Sequence, residues 1–358
     1  MTRSMVASQP VELTLTVTPS RRFEAIDLAA HVEAGVGDGA ERFRRACYCS
    51  HHTTAGFLEQ SLCQRIDGRV EPFVGAFREL FPAGAGYRHD RLPEREELSE
   101  AQREIEPRNA DSHLAFIGAG MSNCVTYLNR PGRPVYLVEL DGVHAGTPRT
   151  RRASVLLFNR PLVVARERVE VPVSRHPIDA VNLAEARLGL LERAEELAAA
   201  HGVRRGRLDV VLDAAEREVG LTVNEYETLL MRYDLAEVLR DPLRFAAQQG
   251  RRMLADLRAL PAKGRGYARY DAVVVLKAVM DSLGIGESAF ERLLARVMSV
   301  PAARFLRMKR AVSLLISDGN GPGAARVVRG IYQNPILIQW ASSPGGRRML
   351  ELTLTSFE

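Results

Sequence analysis

The sequence has little lysine, cysteine or tryptophan, and no long hydrophobic run. Of 49 basic residues only Lys263, Lys277 and Lys309 are lysine, and the arginines are interleaved with acids, as in RLPEREELSEAQREIEPR over 91–108. A net charge of +5 spread in this way describes a solvated surface. A nucleic-acid reader would cluster its charge and add a reading motif, so no nucleic-acid partner is expected. The four cysteines, Cys47, Cys49, Cys63 and Cys124, all lie in the first 124 residues of a long chain, unlike a disulfide-stapled secreted scaffold. Reduced thiols and a cytoplasmic location are expected. Apolar runs such as Ala272–Leu276 fall far short of the ~20 residues a bilayer requires, which excludes a membrane-spanning helix. The opening stretch MTRSMVASQPVELTLTV carries no uninterrupted apolar segment of the kind a secretory signal needs.

What is present is ordinary globular material: 358 residues, 46% hydrophobic and 26% charged. That length suits about two domains. Residues 1–165 mix short β-branched runs with Gly and Pro. The alternation of VELTLTV predicts a strand over 11–17, and similar runs predict strands at 44–51, 123–128, 134–140 and 153–158. Helices fit at 57–67, 70–81 and 109–117. Mixed order, with no regular βαβ alternation, places this part in the α+β class. In 166–181, Pro172 and Pro177 punctuate a stretch read as a linker. Residues 182–358 are rich in helix formers: LAEARLGLLERAEELAAAHG stops at Gly202, and further helices fit at 207–219, 223–239, 242–259, 270–283, 287–298 and 301–317. The expectation is an all-α second domain, closed by a strand, MLELTLTSF, that pairs with the sheet of the first.

Histidine carries the chemistry. Of eight, three stand in turn or strand-end contexts of the first part: His52 in HHTTAG, His89 in GYRHD and His113 in RNADSHL. Three imidazoles that converge can hold a divalent cation and leave a position open for water or a phosphate oxygen. Spacing leaves open whether they meet, and there is no CxxC or HExxH signature; surface and turn histidines are the alternative.

The segments HTTAG (52–56), YRHD (87–90), NADSHL (109–114) and VYLVELDGVHAGTPRTRRASVLLF (135–158), in that order, resemble the YjbQ (UPF0047) family, also called the secondary thiamine-phosphate synthase family. The resemblance spans about residues 10–165. It implies a compact α+β unit that forms trimers, with histidines and acids in a pocket near the subunit boundary. It also implies a weak transferase activity that joins a pyrimidine diphosphate to a thiazole phosphate with loss of pyrophosphate. Carried over by position, His52, His89 with Asp90, and His113 match the family histidine motifs, and Asn109 matches an asparagine before the last of them. Glu139 and Asp141 match an acidic pair, and Arg149, Arg151 and Arg152 a basic run. The resemblance therefore implies catalysis by His52, His89, His113 and Glu139. It implies substrate contacts from Asn109, Asp141, Arg149, Arg151 and Arg152, with zinc or magnesium on the three histidines. Such groups suit phosphoryl and diphosphate chemistry, where cations stabilise the leaving oxygens.

Departures accompany the match. An N-E-N run of the family is replaced by Gln60, Ser61 and Leu62, with Glu59 one place early. A G-T-W-Q motif is replaced by NRPGRP over 129–134, and the Asp of the D-N segment is Arg108. A changed phosphorylated heterocyclic substrate is expected. The alternative is a non-catalytic trimeric scaffold whose helical domain binds a partner protein.

Other residues are read more plainly. His51 and His52 are consecutive on a strand and face opposite ways. His144 divides between pocket edge and loop, and His31, His176 and His201 are structural or exposed. Cys47 and Cys49 share a strand face as small core residues, and GAGMSN (118–123) is a tight turn. FLRMKRAVSLL is core packing with a basic edge. GIYQ at 330–333, followed by GGRRMLELTL, echoes the family motif and is read as coincidence in preference to a duplicated strand pair.

Overall fold

The computed structural model describes residues 9–130, 132–240, 308–319, 321 and 323–358. From the N-terminus the chain runs β1 (Val11–Val17), β2 (Glu24–Asp27), α1 (Ala29–Val36), β3 (Arg45–Ser50), β4 (Ala55–Gly56), α2 (Gln60–Arg65), α3 (Val70–Leu80), α4 (Glu100–Ile105) and α5 (Ala110–Gly118). It continues through β5 (Cys124–Leu128), β6 (Tyr136–Glu139), a hairpin of β7 (Val143–His144) and β8 (Thr147–Pro148), and β9 (Arg151–Phe158). These strands build a larger antiparallel sheet, β1-β9-β3-β5, and a smaller one, β2-β6-β4. The local reasons are plain in places. VELTLTV alternates, and at α4 Ser99 and Gln102 close a reciprocal capping box that satisfies two otherwise orphaned amides.

Among the described residues, the second half is mostly strands. It holds β10 (Pro161–Pro172), β11 (Asp179–Asn182), α6 (Leu190–Ala200), β12 (Arg205–Leu212), β13 (Val219–Asn224), a π-helical turn over Leu230–Asp234 and α7 (Leu235–Arg240). Beyond residue 307 come β14 (Ala311–Ser317), β15 (Arg326–Val328), β16 (Asn334–Gln339) and β17 (Arg347–Phe357). The sheets are β10-β17-β12-β14-β15 and β11-β16-β13. Apart from the added edge strand β15, this is the strand order of the first half over again, with every named pair antiparallel.

The all-α expectation is thus overturned. RGRLDVVL, taken for part of a helix over 207–219, buries alternate residues and leaves the others half-buried, the period of a strand. VGLTVN is a strand across the junction of the helices expected over 207–219 and 223–239, and AVSLLIS is a strand where part of a helix over 301–317 was expected. The stretch read as a linker is largely β10 and β11. The closing strand exists, but it pairs with β10 and β12 of its own half. α6 is found nearly as expected, and most of the helix expected over 223–239 is present as the π-helical turn over Leu230–Asp234 and α7. The helices expected at 242–259, 270–283 and 287–298 lie outside the described residues. Every strand expected in the first half is present.

The halves share their interior. Phe73, Leu114 and Phe116 from α3 and α5 pack in one cluster with Leu230, Leu235, Ile336 and Ile338 from the second half. Between the two larger sheets lie Cys47, Cys49, Cys124, Leu156 and Phe158 against Leu315 and Phe357. Full burial of each large apolar side chain contributes about 1.5–3 kcal/mol, so the seam between the halves is a core and not a hinge. Among the described residues no helix is long and apolar enough to cross a membrane.

Candidate active site

The site is built on that seam. Ala110 N, at the start of α5, donates to Asp90 (3.1 Å), and Asn109, immediately before the helix, turns its side chain inward, donating to Asp141 Oδ2 at 2.9 Å. One turn along, His113 is fully buried. His89 lies beside it, edge to face, with ring centroids 5.3 Å apart. The second half reaches both rings. Glu227 Oε2 lies 2.9 Å from His89 Nδ1, and Asn109 Oδ1 lies 3.3 Å from Nε2. Asn224 Oδ1 is 2.6 Å from His113 Nδ1. Asp234 accepts from the amides of Arg88 and His89, which fixes the loop that carries His89.

These surroundings drive the two imidazoles apart. Burial pulls His89 down, but the bond to Glu227 and the charge of Glu225 outweigh it, so its pKa ends above the ordinary value. With an acceptor at each ring nitrogen, the surroundings of His89 favour its charged form. Burial carries His113 the other way, to about 4 despite the pull of Glu225, which leaves a neutral ring at pH 7. Because Asn224 Oδ1 can only accept, Nδ1 carries the proton and Nε2 the lone pair. That Nε2 is buried, has no hydrogen-bond partner, and faces Glu225 Oε2 at 3.4 Å. Two acceptors so placed make a receptor for one N–H or O–H group.

The other expected residues form a second layer. Arg151 is buried against Glu139, bonded at both Nε and Nη2, and also donates to Asp141 O. Arg149 pairs with Asp141, and Arg22 with Asp111 at 2.8 Å. Arg152 is exposed. His52 stands apart from the other two imidazoles: its Nε2 accepts from Arg152 N at 2.9 Å and its Nδ1 is 3.5 Å from Arg151 Nη1. Burial and the flanking arginines push its pKa down to about 3. Arg149 and Arg151, expected to hold phosphate, are thus already engaged by carboxylates. Arg22, itself paired with Asp111, lines a cavity of about 600 Å³ with Arg103, the exposed Arg108, Asp141 and His144.

The three-histidine cation does not fit this donor set. His52 faces two N–H donors, His89 is hydrogen-bonded at both nitrogens, and only His113 Nε2 lacks a partner. Among the described residues no three His, Cys, Asp or Glu side chains are grouped to hold an ion.

Sequence reasoning missed Asn224, Glu225, Glu227 and Gln333. Gln333 Nε2 donates to the carbonyls of Ser50 and His52 at 2.9 and 2.8 Å, clasping the end of β3. Gly330 makes the approach possible, since a Cβ there would lie 1.9 Å from the His51 carbonyl oxygen. The signal was the GIYQ echo, whose Gly330 and Gln333 make these contacts. Gly330→Ala is expected to cost about 1–3 kcal/mol by forcing the loop off β3; an unchanged urea midpoint would contradict this contact.

Fold and site together define an α+β protein with a buried acid–base cluster at the seam of two like halves. No family model and no curated protein matches the sequence. Solved structures do. A YbjQ-like protein of unknown function from Sulfolobus solfataricus is 14% identical, with 55% of this chain and 99% of that one covered and a TM-score of 0.28. A hypothetical protein from Aeropyrum pernix is 14% identical, covering 54% and 99%, with a TM-score of 0.29. An uncharacterised YjbQ/UPF0047 family protein from Clostridium acetobutylicum is 18% identical, covering 40% and 98%, with a TM-score of 0.25.

Proposed function

We propose that the protein is a transferase acting on a phosphorylated heterocycle, in the manner of thiamine-phosphate synthesis with loss of pyrophosphate. The observation that carries this reading is the unpartnered, buried His113 Nε2 set 3.4 Å from the Glu225 carboxylate. The pair receives an amino or hydroxyl group of the heterocycle. His89, held as a cation, stabilises negative charge that develops nearby. Arg22, Arg103 and Arg108, which line the neighbouring cavity that Asp141 shares, take the phosphate or diphosphate end. In the transfer, the carbon–oxygen bond to the diphosphate breaks with its electron pair leaving on oxygen, and the ring nitrogen of the acceptor heterocycle supplies the pair for the new bond. No step passes through a metal ion. The scaffold alternative has less support, because the half expected to dock a partner as a helical domain instead supplies the partners of His89 and His113. The test is pyrophosphate release from a pyrimidine diphosphate in the presence of a thiazole phosphate. Turnover by the wild type supports the reading, and none across a panel of such substrate pairs overturns it.

The pH dependence has a definite sign. His113 must be neutral and His89 charged, so kcat/KM rises with a midpoint near the His113 value of about 4 and falls again above the ordinary histidine value of about 6.5. Stability follows the same groups. With His113 depressed, the unfolded chain binds more protons between about pH 6.5 and 4, so stability present above that window is lost as pH falls through it. The raised His89 acts oppositely, its contribution being lost as pH rises through its folded value. Urea midpoints measured across pH 4–8 for wild type and His113→Asn check the sign: the acid-side loss shrinks in the variant.

A further inference from the structure

The two halves can be laid on one another residue by residue through their sheet registers. In the first, Glu139 of β6 lies opposite Glu24 and Ala55; in the second, Gln339 of β16 lies opposite Asp179 and Val219. Isolated bridges confirm the frame, Phe57 with Ser122 and Leu221 with Lys309, each two residues beyond the paired alanine or valine. Following β5 and β14 through β3 and β12 to β9 and β17 equates Arg151 with Arg348. Their contacts agree. Arg151 Nη2 donates to Asp141 O and Arg348 Nη2 to Ala341 O, both at 2.7 Å.

In this frame the losses are reciprocal. Gln60, Ser61 and Leu62 of the first half occupy the positions of Asn224, Glu225 and Tyr226 in the second, and Cys63 that of Glu227. Arg130 and Arg133 occupy those of Gly330 and Gln333. Conversely, Glu139 and Asp141 have become Gln339 and Ala341, and DAAERE (213–218) stands where HHTT (51–54) does. No histidine follows His201 anywhere in the sequence. Where its own pocket would be, the second half instead has Arg348 bonded to Gln339 and Glu216.

Resting on the function proposed above, we infer that the chain is an internal duplication with one working site. The second repeat has surrendered its own pocket and serves as the missing half of the first repeat's. Asn224 and Glu227 are positioning residues for His113 and His89, and Gln333 positions the segment after β3 that bears His52. Each repeat lacks the groups the other supplies, so neither is sufficient.

The test uses full-length protein labelled with ¹⁵N at histidine, read by long-range proton–nitrogen correlation. Wild type shows His113 protonated at Nδ1. Asn224→Ala is expected to release that tautomer, and the isosteric Glu227→Gln to lower the His89 midpoint by about one unit or more. Gln60→Ala, at the register equivalent of Asn224, leaves both rings unchanged. A His113 tautomer indifferent to Asn224, or a His89 midpoint indifferent to Glu227, overturns the shared site. Calorimetry with inorganic pyrophosphate supplies the count: one site per chain supports a single pocket, and two equal sites overturn it. Histidine responses as expected without pyrophosphate binding would overturn the anion reading of the previous section and leave the shared site standing.

Discussion

His113→Ala is expected to lower kcat/KM by roughly 100- to 10,000-fold, the usual worth of a positioned proton acceptor. The alanine variant removes the one ring nitrogen of the cluster that has no protein partner, and with it the acid limb of the pH profile near 4. A structural role alone would leave the limb in place and lower only the amount of folded enzyme. Pyrophosphate release within about threefold of wild type, with the limb intact, would remove His113 from the chemistry.

Glu139→Ala is expected to destabilise the fold by about 3–5 kcal/mol, because it leaves the Arg151 guanidinium buried without its carboxylate. Both side chains are almost wholly shielded, at 0% and 4% exposure. The second repeat shows what a milder change needs: Arg348 tolerates Gln339 where Glu216 supplies the charge from 2.9 Å. Arg151 has no such substitute, so Glu139→Gln falls between alanine and wild type. Removing both charges, as Glu139→Leu with Arg151→Met, recovers most of the loss. Urea midpoints decide the series; a cost below about 1 kcal/mol for the alanine variant would show that Arg151 finds water instead.

The first repeat was legible because its strands are short, β-branched and bounded by Gly and Pro, and its histidines sit in motifs. The second was misread for a physical reason. Its strands carry Arg, Asp and Leu in RGRLDVVL, and the neighbouring DAAEREVG is alanine- and glutamate-rich, so composition spoke for helix while the two-residue period spoke for strand. The pattern that wins is the one that buries Gly206, Leu208, Val210 and Leu212 together. The candidate site was half legible for a related reason. His89, His113, Asn109 and Asp141 meet as their motifs imply, yet their partners Asn224, Glu225 and Glu227 are far away in sequence and on a segment that local patterning assigned to a solvated helix face. His52 shows the converse limit: its motif resembles the family's, but the arginines beside it fill the space around the ring.

Only Asn159 and Arg160 separate β9 from β10, and both donate backbone amides to the last residue, Glu358, at 2.8 Å, while Phe158 and Phe357 stack at 3.7 Å. So short a tether holds the two halves of the pocket at a fixed and very high effective concentration. Separate subunits sharing such a pocket would come apart on dilution; here the pocket is unimolecular, and its occupancy by its own second half does not depend on how much protein the cell makes.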